Sequence, residues 1–362
     1  MKKIAYLLSV IIFCSIFTAC AQKPAEKTGQ DKKQKVILLL PGTLGDKSFF
    51  DAANAGMELV KKELGAETKV VEMGTDSTKW EPAFEDASEG DWDIIISGNE
   101  TTELMNKIAQ KYPDKKYINY DTSETENPKN VYSVSYSTNQ LSYLAGALGA
   151  MVTKSNMELA NQENVIGFLG GMDIPGINDF LVGYIEGAQS VNPDVKVLIS
   201  YAGDFGDPAK GKELGLVQYK SGVDISFNVA GGTGLGLIDA AAETNKYVIG
   251  VDSDQALLFK DSDPKKAEHI ISSALKKIDQ VILNTVKQTA EGKLEYGVHQ
   301  VMGIVEGGVD LAKNEYFQTL PQDIKDKLTE IEEKFKKGEI QVKSGFNMST
   351  EEIDQLRNSV KP

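Results

Sequence analysis

After Lys35 the chain enters VILLL (Val36–Leu40), an unbroken apolar run, and it returns to such runs at intervals as far as Asp252. A strand with one wet face alternates apolar and polar residues, whereas a continuous run marks a strand covered on both faces, as in parallel sheets. TKVVEM (68–73), DIIISG (93–98), KKYINYD (115–121) and NVYSVSY (130–136) continue the series. It restarts with NVIGFLGGM (164–172), KVLISYA (196–202), DISFNVAGG (224–232) and KYVIGVD (246–252). Between the runs, apolar residues recur at helical spacing. Ala53, Met57, Val60 and Leu64 place a helix over 51–64, stopped by Gly65, and further helices fall over 100–112, 140–152, 177–191, 208–219 and near 235–243. Two consecutive strand–helix series predict an α/β fold of two doubly wound parallel-sheet lobes. Parallel strands end on one edge of their sheet, where ligands bind, so two such edges face to face make a cleft.

The order changes beyond Asp252. Residues 269–292 read as a strand running into an amphipathic helix, 295–312 as a strand or two, and 320–337 as a charged helix with Leu328, Ile331 and Phe335 on one face. Ser349 has the position of a cap on a last helix. These elements must return to lobes already begun, so several crossings form a hinge. The expected division is 36–134 plus 271–297 for the first lobe and 135–270 plus 298–345 for the second, with 346–362 as a C-terminal tail.

The first twenty residues, MKKIAYLLSVIIFCSIFTAC, set the location. Lys2 and Lys3 precede an apolar run, Ile4–Phe17, that is short of the roughly 20 residues a bilayer span needs. It fits a secretory signal over 1–19. Cys20 after Thr18-Ala19 marks a bacterial lipoprotein box, in which the thiol takes a diacylglycerol and becomes the new N-terminus. From 20 to 35 no apolar residue larger than Ala or Pro occurs, so this stretch is expected to be a flexible leash.

Cys14 and Cys20 are the only cysteines, which excludes disulfides, thiol nucleophiles and Cys-ligated zinc from the folded part. Loss of 1–19 removes Lys2 and Lys3 from 39 basic side chains and none of 53 acidic ones, leaving 37 against 53 and a net charge of −16. Such a surface repels phosphate backbones, so no nucleic-acid partner is expected. His269 and His299 lie far apart in sequence, and no metal or other cofactor is expected. GGTGLG (231–236) has the glycines of a dinucleotide fingerprint, but it sits late in the second series rather than after a first strand.

Six segments carry a family resemblance: GDKSFFDAANAG (45–56), GFLGGMDIPGINDFLVGYIEGAQSVNP (167–193), GDFGDPAKGKELG (203–215), FNVAGGTGLG (227–236), YVIGVDSDQ (247–255) and SSALKKIDQ (272–280). Together they resemble the basic membrane protein family, the substrate-binding lipoproteins of ABC transporters typified by purine nucleoside receptors. The resemblance implies a type I periplasmic-binding-protein fold and no enzymatic activity. It further implies a monomer that hands a nucleoside to a membrane permease with its ATPase subunits. A surface lipoprotein that senses a sugar or other small molecule would share tether and fold.

A nucleoside pocket needs aromatic faces for the base and carboxylates for the ribose hydroxyls. Phe49 and Phe205 match the family's stacking aromatics. Asp121 and Asp252, each closing a strand, match its sugar-binding acids, and Lys276 its ribose-contacting lysine, with Lys277 left to solvent. Gly231 and Gly232 let backbone approach the sugar. Asp254 reads instead as a helix cap. One departure stands out: the family's Asp at the end of the first strand is absent, because Leu40-Pro41 occupies that place. The base-reading contact is therefore missing, altered, or supplied by Asp46 or Asn99.

Overall fold

The computed structural model describes residues 33–362, so the expected signal, Cys20 and the leash up to residue 32 lie outside the described residues. The first lobe alternates β1 (Lys35–Leu40), α1 (Phe49–Leu64), β2 (Glu67–Glu72), α2 (Trp80–Glu89), β3 (Ile94–Ser97), α3 (Thr102–Lys111), β4 (Lys116–Asn119) and β5 (Val131–Tyr136). The chain then crosses into α4 (Thr138–Val152), β6 (Val165–Gly170), α5 (Pro175–Val191), β7 (Lys196–Tyr201), α6 (Pro208–Lys220) and β8 (Ile225–Val229). This second lobe continues with α7 (Gly234–Thr244), β9 (Tyr247–Asp252), α8 (Gln255–Lys260), α9 (Pro264–His269) and β10 (Ile270–Lys276). After them come α10 (Ile278–Ala290), β11 (His299–Met302), β12 (Val309–Leu311), α11 (Glu315–Gln318), α12 (Gln322–Lys336) and α13 (Thr350–Ser359).

Each sheet has six strands. The first, β11-β5-β4-β3-β1-β2, is parallel throughout; the second, β12-β10-β9-β8-β6-β7, is parallel apart from β12. The run VILLL explains itself here. Val36, Leu38 and Leu40 share a core with Ala53, Met57 and Val60 of α1, while Ile37 and Leu39 face Phe84 of α2 and Met105 and Ile108 of α3 on the other side. Strand order reverses between β1 and β3 in one lobe and between β6 and β8 in the other, so the loops after these strands flank the crevices where such sheets hold ligands.

Three crossings join the lobes, at 136–138, 276–278 and 302–309. Asp179 of α5 braces the first. Its Oδ2 accepts from the Thr138 hydroxyl and from Asn139 N (2.9 Å), and its Oδ1 accepts from Ser344 Oγ (2.7 Å) and Gly345 N (2.9 Å). The return strands differ from the expected division. Strand β10, expected in the first lobe, pairs with β9 and β12 in the second sheet, and β11, expected in the second lobe, pairs with β5 in the first. An apolar run shows that a strand is buried but not which neighbour it has. Helix α10 packs on α1 of the first lobe.

The tail is built in. Ser349 caps α13 in a reciprocal capping box with Glu352, and Arg357, the chain's one arginine, donates to Asp173 Oδ1 (2.6 Å) and Tyr201 Oη (2.9 Å) of the second lobe. Among the described residues no helix is long and apolar enough to cross a membrane.

Candidate functional site

The loop after β1 carries the first-lobe side of the cleft. Leu40 and Pro41 are buried, and no acid stands at the end of β1. Asp46 faces the start of α1, accepting from Ser48 N (3.0 Å) and Asp51 N (3.1 Å) at Oδ1 and from Phe50 N (2.9 Å) at Oδ2. It therefore holds the helix N-terminus, where unpaired N–H groups favour a carboxylate. Burial nevertheless pushes its pKa up to about 6, against those three backbone hydrogen bonds. Asp46 thus spends three acceptor positions on the start of its own helix.

Its neighbour Ser48 reaches across the lobes. Ser48 Oγ donates to Asp252 Oδ2 (2.6 Å), Ser253 Oγ donates to Ser48 O (3.2 Å), and Gln255 Nε2 donates to Lys47 O (3.0 Å). The lobes are thus closed on one another at this edge. Asp252 ends β9 with a φ of 61°, a left-handed conformation that Asp tolerates better than most residues. Burial raises its pKa, with Lys276 and the Ser48 hydroxyl acting in the opposite direction.

Lys276, at the end of β10, sits between the acids. Its Nζ lies 2.8 Å from Asp121 Oδ2, with both side chains largely buried. Burial works to lower the Lys276 pKa, but Asp121 and Asp252 outweigh it and the net shift is upward. The ammonium also lies 5.4 Å from the ring centres of Phe49 and Tyr136 and 5.5 Å from that of Phe180, a cage that favours a cation. Phe49 in turn packs on Tyr120, with ring centres 5.3 Å apart. Among the described residues, Oδ1 of Asp121 and of Asp252 accept no hydrogen bond. Lys277 stays at the edge, 3.6 Å from Asp310.

The second-lobe side is glycine-lined. A Cβ added at Gly171 would stand 2.3 Å from the Phe205 ring, so the ring occupies space that only a bare backbone leaves open. A Cβ added at Gly232 would stand 3.1 Å from the Phe205 carbonyl oxygen and 3.8 Å from Cβ of Asp46, which brings this turn against the first lobe. Gly231 has a φ of 54°, within the region where glycine is least strained.

The structure thus gathers Phe49, Asp121, Asp252 and Lys276 tightly, with Phe205, Gly231, Gly232 and Asp46 adjoining. Asn99 is not among them. Its backbone N donates to Asp121 O (2.6 Å), but the residue is exposed and lines an outward hollow of about 470 Å³ with Glu100, Glu103 and Glu124. Asp254 caps α8 by accepting from Leu257 N (3.3 Å). The histidines are structural: His269 Nδ1 bonds Lys246 O (2.8 Å), and His299 sits between the hydroxyls of Ser133 and Ser135.

Sequence reasoning missed Ser48, Tyr120, Tyr136, Phe180 and Gln255. Tyr120 and Tyr136 follow the same rule that found the two acids, since each stands where a strand ends at the cleft edge. Chemically the arrangement offers two carboxylates with free oxygens, one cation and aromatic walls. That suits a ligand with paired hydroxyls and a flat ring.

A family model described as ABC transporter substrate-binding protein PnrA-like matches residues 33–345. The ABC transporter nucleoside-binding protein BmpA of Lactococcus lactis subsp. cremoris is 30% identical over 363 residues, covering 95% of this chain and 100% of that one. Basic membrane protein D of Borreliella burgdorferi is 28% identical, covering 94% and 95%. The crystal structure of an ABC-transporter solute-binding protein from Aeropyrum pernix K1 superposes with a TM-score of 0.78 at 25% identity, covering 91% of this chain and 99% of that one. The chain therefore belongs to the basic membrane protein family, extracytoplasmic substrate-binding proteins of ABC transporters rather than enzymes.

Proposed function

We propose that this protein captures a nucleoside, of the purine type, between its lobes and passes it to a permease served by ATPase subunits. One juxtaposition carries the reading: Asp121 and Asp252 flank Lys276 beside the Phe49 ring, each acid with an oxygen to spare. A ribose diol donates to such oxygens, and a purine stacks on such rings. The Lactococcus relative, nucleoside-binding by name, supports the same class. A thermal-shift screen of the chain from residue 21 onward, stripped of co-purified ligand, tests it with nucleosides, free bases, ribose and other sugars. A ligand at a thousandfold excess over Kd stabilises the folded state by about 4.1 kcal/mol. A large shift with nucleosides is expected; a shift with sugars alone would move the cargo to another class.

We further propose that the protein works as a monomer tethered by lipid on Cys20, on the outer side of the cell membrane. Cys20→Ser should release it into the soluble fraction of the expressing cells. Retention of the variant in detergent-free washed membranes would refute the tether.

A further inference from the structure

Two hydroxyls in the closed cleft have no partner among the described residues. Tyr120 is 0% exposed and Tyr136 5% exposed, yet neither Oη makes a hydrogen bond to any described residue. A buried hydroxyl without a partner is costly, and native structures rarely leave one without a ligand, a water or a function. Tyr184 Oη is also unpartnered among the described residues, but it lies over Gly149, its ring against Phe168 and Phe227 in the second-lobe core. The other two stand at the site. Tyr120 follows β4, packs at a tilt against Phe49 and lies in the field of Asp121, Glu100, Asp46 and Asp252. Tyr136 ends β5 at the first crossing, beneath the Lys276 ammonium, and shares with Tyr120 the fields of Asp121 and Asp252.

We propose that the hydroxyls of Tyr120 and Tyr136 contact the ligand directly and take over the polar reading that an acid at the end of the first strand would supply. The identity of that ligand rests on the nucleoside reading, but the assignment of the hydroxyls does not. Burial pushes both phenols well above their usual range, so both keep their protons. Each can then donate to an acceptor atom of the ligand, which a carboxylate at the end of β1 could not do. The site's preference would shift toward ligands that present a carbonyl oxygen or ring nitrogen at that depth.

The test compares wild type with Tyr120→Phe, Tyr136→Phe and, as a control, Tyr184→Phe, all as full-length chains freed of co-purified ligand. Affinities are measured by calorimetry for inosine, adenosine, cytidine, ribose and myo-inositol, and melting temperatures without ligand. The two cleft variants should bind wild type's best probe roughly five- to tenfold more weakly. Their ligand-free melting temperatures should stay level or rise, because the lost hydroxyl had no protein partner. Tyr184→Phe should bind as wild type does. Binding within twofold of wild type in both cleft variants, or an equal loss in Tyr184→Phe, would overturn the proposal. If only a sugar binds and the cleft variants bind it less well, the nucleoside reading fails and the tyrosines stand. If no probe binds, a fall of several degrees in the ligand-free melting temperature of both cleft variants overturns the proposal, and level or raised values support it.

Discussion

Gly187→Ala should cost the fold about 3 kcal/mol and lower its melting temperature by several degrees, although the residue lies in α5 of the second lobe and is none of the cleft residues. Helices α4 and α5 meet backbone to backbone. A Cβ at Gly187 would stand 2.0 Å from the Tyr143 carbonyl oxygen, one at Gly146 2.0 Å from that of Tyr184, and one at Gly183 2.0 Å from that of Asn139. No rotamer change relieves a clash with a carbonyl, so the helices must part. Parting also strains the first crossing, because Asp179 of α5 holds Thr138 and Asn139 of α4. Gly176 lies in the same helix but has only the Phe346 ring near it, at 3.8 Å. Gly176→Ala should therefore leave stability unchanged or slightly raised, since alanine is the better helix former. Thermal denaturation followed by circular dichroism separates the two. Equal melting temperatures for both variants would mean the helices are not so closely packed.

That packing shows which parts of this molecule could be read from the chain. The small residues of 140–152 are plain in the sequence, but their purpose depends on α5, whose glycines lie some forty positions on. Local patterns fared better. The apolar runs located the strands of both series, and Ser349, Asp254 and Gly65 ended or began helices where their chemistry suggests. Helix α2 is absent from the sequence-based expectation although Trp80, Ala83, Phe84 and Ala87 are helically spaced, and Pro82 falls within it. Proline is tolerated in a first turn, where its missing N–H has no carbonyl to meet. Strand neighbours were illegible for a different reason. Register and pairing of β10 and β11 are fixed by which lobe each crossing re-enters, and no residue encodes that by itself. At the site, residue type at a strand end identified Asp121 and Asp252. Ser48 has no such signal, since a serine in a loop acquires its role only when the opposite lobe brings Asp252 to 2.6 Å.

The largest effect on binding should come from Asp121→Ala, with a loss of nucleoside affinity of at least roughly tenfold, about 1.4 kcal/mol. The same change should lower ligand-free stability by about 3 kcal/mol, because it leaves the buried Lys276 ammonium without its nearest partner. Asp252 and the three rings remain around that ammonium, which keeps the penalty near the lower end for a broken buried pair. The two consequences can be separated by removing both charges. In Asp121→Ala with Lys276→Met the unpaired ammonium is gone and the buried Asp252 keeps the Ser48 hydroxyl as its partner, so part of the lost stability should return, while binding stays lost because the hydroxyl acceptor and the cation are both gone. Denaturant melts and calorimetric titrations of the four proteins complete the cycle. If the double variant is as unstable as Asp121→Ala alone, the pair contributes through packing rather than charge. If Asp121→Ala binds nucleosides as wild type does, the assigned pocket is wrong, whatever its effect on stability.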